Sequence, residues 1–493
     1  MRTLSVALVM LALALPGAHG QALRIAYNGS ALAAPQASSL HPVPGAAPGE
    51  AGLSLAELFP PQLEAWRLEL GGRSIDSDSL GERLHDIFLV RGAAGWDLVM
   101  DVVMDVVMGG TGSKRERIPT GGVLGLRGEP CPEKSLEVWI SWEGVPELKA
   151  LLSRWAESAG ISLKAVDVPS IKSKLIAVLR GGGSVPDLVM VQSDYLPDLA
   201  AAGALQELDG LALPSGAAKG RDSFTLAGRL LAAPFYCDTQ LVFYSRRYIK
   251  SAPSPTWTLA DMERLALGSG AAVPAAWNAY SAYWFLPFVL GFGRTAVVDG
   301  SGRLGLADPA FAKALSYVKD AVGRGFLVPM ERDAMMSYFV SGKASFILSG
   351  SYSLPEFRRL GLDIGIAAYP LAEAGGKGIP PLLDFKGFSV TRTTKRPVLA
   401  RRLVQFLSSP GVQARFCAPQ GKLPANEEAW TLLPAGDPYQ PVLQASYRAG
   451  VAVPAHPAYG EFKNAIWKLM RLYLGGSMSG EETIAAARTI LKE

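Results

Sequence analysis

Aromatic side chains are concentrated at one point of the sequence where they could contact a small ligand. Trp277, Tyr280, Tyr283 and Trp284 form a dense run before Pro287. Aromatic rings stack on the CH faces of polyhydroxylated molecules, whose hydroxyl groups need converging hydrogen-bond donors and acceptors. The run therefore indicates either a carbohydrate-contacting surface or packing inside a core, and the sequence leaves both interpretations open.

A second set of candidate ligand-binding residues follows predicted strands. Trp142 and Glu143 come directly after the first strand of a predicted sheet, and Asp194 and Tyr195 come after its third strand. Ligands of open α/β sheets bind outside the carboxyl ends of the strands. We therefore expect these side chains to face a common ligand.

The residue types that most catalytic or metal sites need are sparse. After the first twenty residues the histidines are His41, His85 and His456. This gives little support for a histidine-based triad or a zinc site, and Gly109–Lys114 lacks the Gly-Lys-Ser/Thr ending of a P-loop. A carboxylate pair for glycoside hydrolysis stays open, because any two acidic residues could meet in the fold. We expect a non-enzymatic protein with no catalytic residues, no metal and no cofactor.

The elements that must position these side chains follow a parallel α/β pattern. Strands are predicted at 136–140, 161–168 and 187–191, and helices at 145–159 and 171–179 alternate with them. Further strands are predicted at 241–244, 345–348, 364–367 and 388–390. Further helices are predicted at 258–267, 311–323, 397–407, 459–474 and 480–491.

The composition is that of a globular protein. The chain has 493 residues, of which 49% are hydrophobic and 19% charged, with a net charge of +4. This length predicts two or three domains, and the small, mixed charge gives no nucleic-acid-binding stripe, so we expect no nucleic-acid partner. Cys131, Cys237 and Cys417 allow one disulfide without specifying the pair, and we interpret them as small buried thiols.

The first twenty residues have the features of a secretory signal peptide. Arg2 is followed by the apolar stretch Leu4–Leu15 and then by small residues up to Gly20. The apolar stretch is shorter than the ~20 residues that a membrane-spanning helix needs. We expect an exported chain, periplasmic or extracellular, without an evident lipid anchor.

Residues 21–132 form an N-terminal extension. Strands at 23–27 and 96–107 flank predicted helices at 55–70 and 80–90, so we interpret the extension as an additional α/β segment.

Two short sequences of this extension also occur further along the chain. Leu23–Tyr27 resembles Leu136–Ile140, and Asp97–Met100 is repeated at Asp187–Met190. We therefore interpret the extension as a possible degenerate copy of the start of the next unit.

Residues 134 to 493 contain a series of short motifs. They are Leu136–Trp142, Pro186–Met190, Ala202–Leu205, Ala233–Phe235, Leu241–Tyr244, Pro255–Trp257, Gly342–Ala344, Gly421–Ala425 and the segment from Pro454 to the closing helices. Each motif is weak alone, but together and in this order they resemble the extracellular solute-binding proteins of ABC importers, maltose-binding type (family 1).

The resemblance implies a two-lobed periplasmic-binding-protein fold with a hinge, an α/β architecture. Lobe one would comprise residues 133–240 plus about 369–435, and lobe two residues 241–368 plus about 436–493. The first hinge would lie near 238–242.

The resemblance also implies roles for single residues. Asp194 would accept sugar hydroxyl groups, and Tyr283 and Tyr352 would stack on sugar rings. Val191 and Tyr195 differ from the family's residues at these places, which implies a different ligand. Asp384 is expected to be a solvated carboxylate in a loop after Pro380 and Pro381.

The implied function is that of a receptor. The protein would capture a small ligand, a carbohydrate, between its lobes and deliver it as a monomer to the membrane permease of an ABC transporter. A sensory receptor of the same fold and a glycan-acting enzyme are the alternatives, and the sequence does not discriminate between a permease and a sensor as the partner.

Overall fold

The computed structural model describes residues 133–493, apart from residue 212, together with ten strands between residues 24 and 130. The predicted signal peptide and Cys131 lie outside the described residues.

The described part of the N-terminal extension consists of strands. They are β1 (Arg24–Tyr27), β2 (Ser30–Ala31), β3 (His41–Pro42), β4 (Ala51–Ser54), β5 (Leu63–Leu70), β6 (Arg73–Asp76), β7 (Ile87–Gly92), β8 (Gly95–Val106), β9 (Gly110–Pro119) and β10 (Val123–Pro130). They form two five-stranded sheets of order β2-β1-β10-β5-β6 and β3-β4-β7-β8-β9.

This arrangement corrects two predictions for the extension. Leu63–Leu70, the second half of a predicted helix, is strand β5, in which Trp66, Leu68 and Leu70 alternate with polar residues at the period of a strand. Ile87–Gly92 is strand β7 instead of the end of a second helix. The strands at 23–27 and 96–107 are confirmed as β1 and β8.

The strand pairing differs between the extension and the unit that it resembles in sequence. In the extension, β1 and β8 belong to different sheets. The strands with similar sequences, β11 (Ser135–Ile140) and β13 (Leu188–Gln192), pair in parallel in one sheet. The internal copy therefore stays a prediction from sequence.

Residues 133–493 alternate between strands and helices. The remaining strands are β12 (Ser162–Asp167), β14 (Thr225–Leu226), β15 (Arg229–Leu230), β16 (Ala233–Ser245), β17 (Val273–Trp277), β18 (Leu327–Pro329), β19 (Ala344–Gly350), β20 (Ile364–Ala367), β21 (Leu382–Val390), β22 (Leu423–Pro424) and β23 (Val451–Ala452).

The helices pack around these strands. They are α1 (Val145–Ala159), α2 (Ile171–Arg180), α3 (Leu196–Ala201), α4 (Ala218–Ser223), α5 (Leu259–Leu267), α6 (Ala282–Gly291), α7 (Pro309–Gly323), α8 (Arg332–Val340), α9 (Leu354–Arg359), α10 (Pro397–Ser408), α11 (Pro410–Gln420), α12 (Gln440–Ala449), α13 (Pro457–Leu474) and α14 (Gly480–Leu491).

The boundaries of these helices have local causes. Gly160 ends α1 in the left-handed conformation, where its backbone N–H reaches the last carbonyls of the helix. Ser479 begins α14 with a capping box, in which its side chain and that of Glu482 each accept a backbone N–H of the other residue. The sequence signals at these ends therefore predict the helices closely.

One strand joins the two parts of the eleven-stranded sheet, whose main order is β12-β11-β13-β21-β16-β19-β17-β18. In β16, residues 233–239 pair with β21, and residues 240–244 pair with β19. The chain therefore passes between the two sheet regions at the place where the first hinge is predicted, near 238–242.

Two hydrophobic cores lie on this sheet. One contains Leu152, Val189 and Leu403, and the other contains Phe285, Phe311 and Phe462. Some residues of the second sheet region, such as Phe243, pack in the first core, so the lobe boundaries given above remain predictions.

Cys237 and Cys417 are buried free thiols, as predicted. Burial raises the pKa of both thiols well above its usual value, which leaves them in the neutral, unreactive form.

Candidate ligand-binding cleft

The crossover in β16 places two carboxylates side by side. Asp238 of β16 is the register partner of Asp384 of β21, so both side chains point to the same face of the sheet. Like charges directly opposite each other destabilise a sheet unless cations compensate them.

Two buried lysines provide this compensation. The Nζ atom of Lys422 lies 3.0 Å and 2.9 Å from the two carboxylate oxygens of Asp238, and Lys386 donates a hydrogen bond to Asp384. Burial opposes the charged form of each lysine, but the carboxylates prevail and raise the pKa of Lys386 and Lys422 above its usual value. Both lysines therefore stay charged at neutral pH.

Asp384 corrects an expectation from the sequence. It lies in β21, which begins at Leu382, and not in a solvated loop. Burial raises its pKa, Lys386 acts in the opposite direction, and the nearby Asp194 and Asp238 carboxylates raise it further. Its side chain is still 26% exposed, so it can accept a hydrogen bond from a ligand.

The first strand of lobe one ends in a strained turn that carries Trp142 and Glu143. Trp142 has φ +70°, a conformation that residues other than glycine rarely adopt. Its ring is half-buried, with its centroid 6.0 Å from that of Tyr195 and 5.1 Å from the Nζ atom of Lys386. Such strain persists only where the surrounding structure imposes it, and it is typical of functional sites.

Glu143 connects this turn to the buried lysine. Its Oε2 atom lies 3.3 Å from Lys422 Nζ, while 42% of its side chain is exposed. Lys422 thus holds both Glu143 and Asp238 in place.

Asp194 and Tyr195 follow β13, as predicted. Gln192 Nε2 donates to Asp194 Oδ1 at 2.5 Å, and Lys463 Nζ donates to Asp194 Oδ2 at 2.7 Å. Burial, with smaller contributions from Asp194 and Asp384, raises the pKa of Tyr195 to about 12, so its hydroxyl group remains a donor at neutral pH.

Tyr283 of α6 and Tyr352, in the turn after β19, lie near the same carboxylates. Both rings are half-buried. Tyr283 donates through its hydroxyl group to the carbonyl of Leu382 at 3.3 Å. Tyr352 follows Ser351, whose hydroxyl group donates to Asp238 Oδ1 at 2.8 Å. Burial raises the pKa of both tyrosines, and the Asp238 carboxylate adds to this.

The structure separates the aromatic run into two groups. Trp277 is fully buried and Trp284 is 6% exposed, and both pack in the second core. Trp277 ends β17 and Trp284 lies in α6, and both side chains are buried. Of this run, Tyr280 and Tyr283 are partly exposed. The guanidinium group of Arg471 lies over the ring of Tyr280, with its Cζ atom 4.6 Å from the ring centroid.

Several polar residues of this cleft were not predicted: Ser351, Asp238, Lys386, Lys422 and Lys463. One signal was present in the sequence. Asp384 and Lys386 are charged residues two positions apart in a strand, β21, that has no other charged residue, and this spacing places both on one face. Lys422 and Lys463 follow from no local pattern, because their partners are 184 and 269 residues away.

The arrangement suits a neutral, polyhydroxylated ligand. Glu143 and Asp384 are partly exposed acceptors, Asp194 is a more buried one, and Lys463 is a partly exposed donor. The buried Lys386 and Lys422 hold the carboxylates of Asp384, Asp238 and Glu143 in place. The described residues contain no group of three or more His, Cys, Asp or Glu side chains that could hold a metal ion.

Comparison with known proteins identifies the family. The family model described as bacterial extracellular solute-binding protein matches residues 141–414. The chain belongs to this family. The predicted resemblance is thereby confirmed.

Two relatives are 22% and 23% identical to the chain over the aligned residues. The maltodextrin-binding protein of Bacillus subtilis is 22% identical over 301 residues, covering 57% of this chain and 71% of the relative. The galactooligosaccharide-binding protein of the same organism is 23% identical over 384 residues, covering 66% of this chain and 89% of the relative.

A solved structure confirms the two-lobed fold. The Thermus thermophilus maltotriose binding protein, bound with maltotriose, superposes with a TM-score of 0.63 at 23% identity, covering 72% of this chain and 99% of that one. Among the described residues of this solute-binding protein, no helix is long and apolar enough to cross a membrane.

Proposed function

We propose that this solute-binding protein captures a neutral carbohydrate between its lobes and delivers it to the membrane permease of an ABC transporter. The observation that carries the proposal is the cleft at the β16 crossover. There, partly exposed rings of both lobes surround carboxylates that are paired with lysines. The rings match the CH faces of a sugar, and the ion pairs supply acceptors and donors for its hydroxyl groups.

The ligand-binding residues would be Trp142, Glu143, Asp194, Tyr195, Tyr280, Tyr283, Tyr352 and Asp384. The relatives named for maltodextrin and galactooligosaccharide make an oligosaccharide the first ligand class to examine. We further propose that the chain is exported by its N-terminal signal to the periplasm or cell exterior, acts as a monomer and catalyses no reaction.

A thermal-shift screen of the purified mature protein tests this function. Maltooligosaccharides, galactooligosaccharides, monosaccharides, polyols and amino acids serve as ligands. A ligand that binds only the native state adds about 2.7 kcal/mol of stability at one hundred times its dissociation constant. We expect a rise of the midpoint for one oligosaccharide class, with no turnover of that sugar by chromatography.

Two matched variants locate the binding site. Tyr352→Ala removes a proposed ring and should weaken binding. Tyr338→Ala removes a ring that is 40% exposed on α8, at the opposite end of β19 from Tyr352, and should leave binding unchanged. Absence of any shift with all sugars, or equal effects of the two variants, would refute the proposal.

A further inference from the structure

One ion pair of the cleft joins the two lobes. Asp194 lies in the turn after β13, on the sheet of lobe one. Lys463 lies on α13, whose neighbouring residues Phe462 and Ile466 are buried in the second core. The Lys463 ammonium is 2.7 Å from the Asp194 carboxylate.

The turn that carries Asp194 is attached to the same part of lobe two by a second contact. Ser193 Oγ donates to the carbonyl of Val453 at 2.8 Å, just before α13 begins. Gln192 fixes the other carboxylate oxygen of Asp194. Both carboxylate oxygens of Asp194 therefore accept a hydrogen bond, Oδ1 from Gln192 and Oδ2 from Lys463. Lys463 thus fixes the orientation of Oδ2.

The exposure of the two side chains indicates that this pair belongs to the cleft and not to a core. The Lys463 side chain is 44% exposed, whereas that of Asp194 is 9% exposed. Lys463 covers one oxygen of the carboxylate from α13, so separation of the lobes would return the ammonium and this oxygen to water. The ion pair can therefore form and break with the movement of the lobes.

We propose that Lys463 is a positioning residue that stabilises the closed form through its ion pair with Asp194. The ligand part of this inference rests on the proposed function, because Asp194 is also a proposed ligand acceptor. A ligand binds more tightly when more of the protein is already in the competent conformation. Lys463 thus raises the affinity for a ligand that has no charge of its own.

This coupling predicts an unusual property, since binding of a neutral sugar should depend on salt. Salt screens a partly exposed pair, with a Debye length of about 10 Å at 0.1 M and about 3 Å at 1 M. We expect Lys463→Met to weaken binding about two- to fivefold at low salt, the range of partly exposed ion pairs. The affinity of this variant should no longer change with salt.

The first experiment measures closure without ligand. Fluorophores attached to Glu157→Cys on α1 and Lys313→Cys on α7, both exposed, report the distance between lobes in a full-length Cys131→Ser background. We expect Lys463→Met to increase the distance, Lys463→Arg to preserve it, and 0.5 M NaCl to increase it only when the pair is intact. Lys468→Met removes another exposed lysine of α13 and should change nothing.

Asp194→Asn completes a double-mutant cycle. If the pair acts as proposed, Asp194→Asn and Lys463→Met each open the ligand-free protein, and the double variant opens it no further. Additive effects, or no effect of Lys463→Met on the distance, would overturn the proposal.

The second experiment measures affinity by calorimetry with the sugar found in the screen, between 0.05 and 0.5 M NaCl. Weaker binding by Lys463→Met with an unchanged lobe distance would show a direct ligand contact and overturn the positioning role. If no sugar binds, the proposed function fails, and the lobe-distance measurement still decides the role of the ion pair.

Discussion

Replacement of Trp142 by alanine and by glycine separates the ligand-binding role of its ring from the strain of its backbone. The residue has φ +70°. Alanine keeps the Cβ atom that makes this conformation unfavourable, whereas glycine adopts it freely. Both variants lack the ring, so we expect both to lose the same amount of ligand affinity.

The two variants should differ in stability. Relief of the left-handed conformation favours glycine by about 1–2 kcal/mol, and the greater freedom of glycine in the unfolded chain opposes this by about 0.4–1 kcal/mol. We therefore expect Trp142→Gly to be about 1 kcal/mol more stable than Trp142→Ala. Urea unfolding followed by circular dichroism measures this difference.

Ser153→Ala and Ser153→Gly are the control variants, and here the glycine variant should be the less stable one. Ser153 is exposed in the middle of α1, where glycine costs about 1 kcal/mol relative to alanine. Equal stability of the two Trp142 variants, or greater stability of the alanine variant, would show that the strain does not exist in solution. Unchanged affinity in both would remove Trp142 from the site.

Two further predictions concern the other side of the cleft. A Cβ atom added at Gly350 would overlap the Tyr352 ring, so Gly350→Ala must displace the ring. We expect about five- to tenfold weaker binding, the value of one aromatic contact. Gly323→Ala, where nothing lies within 4 Å, is the control, and a further loss on adding Tyr352→Ala would contradict this reasoning. Ligand affinity should also depend on pH. Because the pKa of Asp384 is raised above 3.8, the usual value of an aspartate, its carboxylate takes up a proton at a higher pH than an ordinary aspartate does. Affinity should therefore fall as the pH is lowered through that pKa, although the same protonation favours the folded state. It should stay constant from pH 7 to 9, because the pKa of Tyr195 is about 12 and those of Lys386 and Lys422 are raised. Calorimetry at each pH checks this, and an acid limb that persists in Asp384→Asn would assign it to another group.

The elements that the sequence predicted best are those with local signals at their ends. The capping box at Ser479 and the glycine after α1 each fix a boundary through atoms within a few residues. The helices at 55–70 and 80–90 failed because short apolar segments do not distinguish helix from strand. There the partner strands decide: β5 is a strand because β10 and β6 lie on either side of it.

The residues of the candidate cleft also fall into those that the sequence could place and those that it could not. Trp142, Glu143, Asp194 and Tyr195 could be placed from the sequence, because the carboxyl ends of parallel strands meet at one edge. Trp277 and Tyr280 are only three residues apart, yet the first is in the core and the second is partly exposed. Residue type alone could not separate them.

The sequence by itself determined the family, the α/β order of residues 133–493 and the strand ends that carry ligand-facing residues. These features follow from periodicity, capping residues and the order of short motifs, all of which can be read along the chain without knowing which distant residues meet. The tertiary structure decided how charge is distributed in the cleft. Asp238 meets Asp384 only through the register of β16 and β21, and Lys422 and Lys463 reach their carboxylates only in the folded chain. Because an ion pair depends on distance in space, its members can lie anywhere in the sequence.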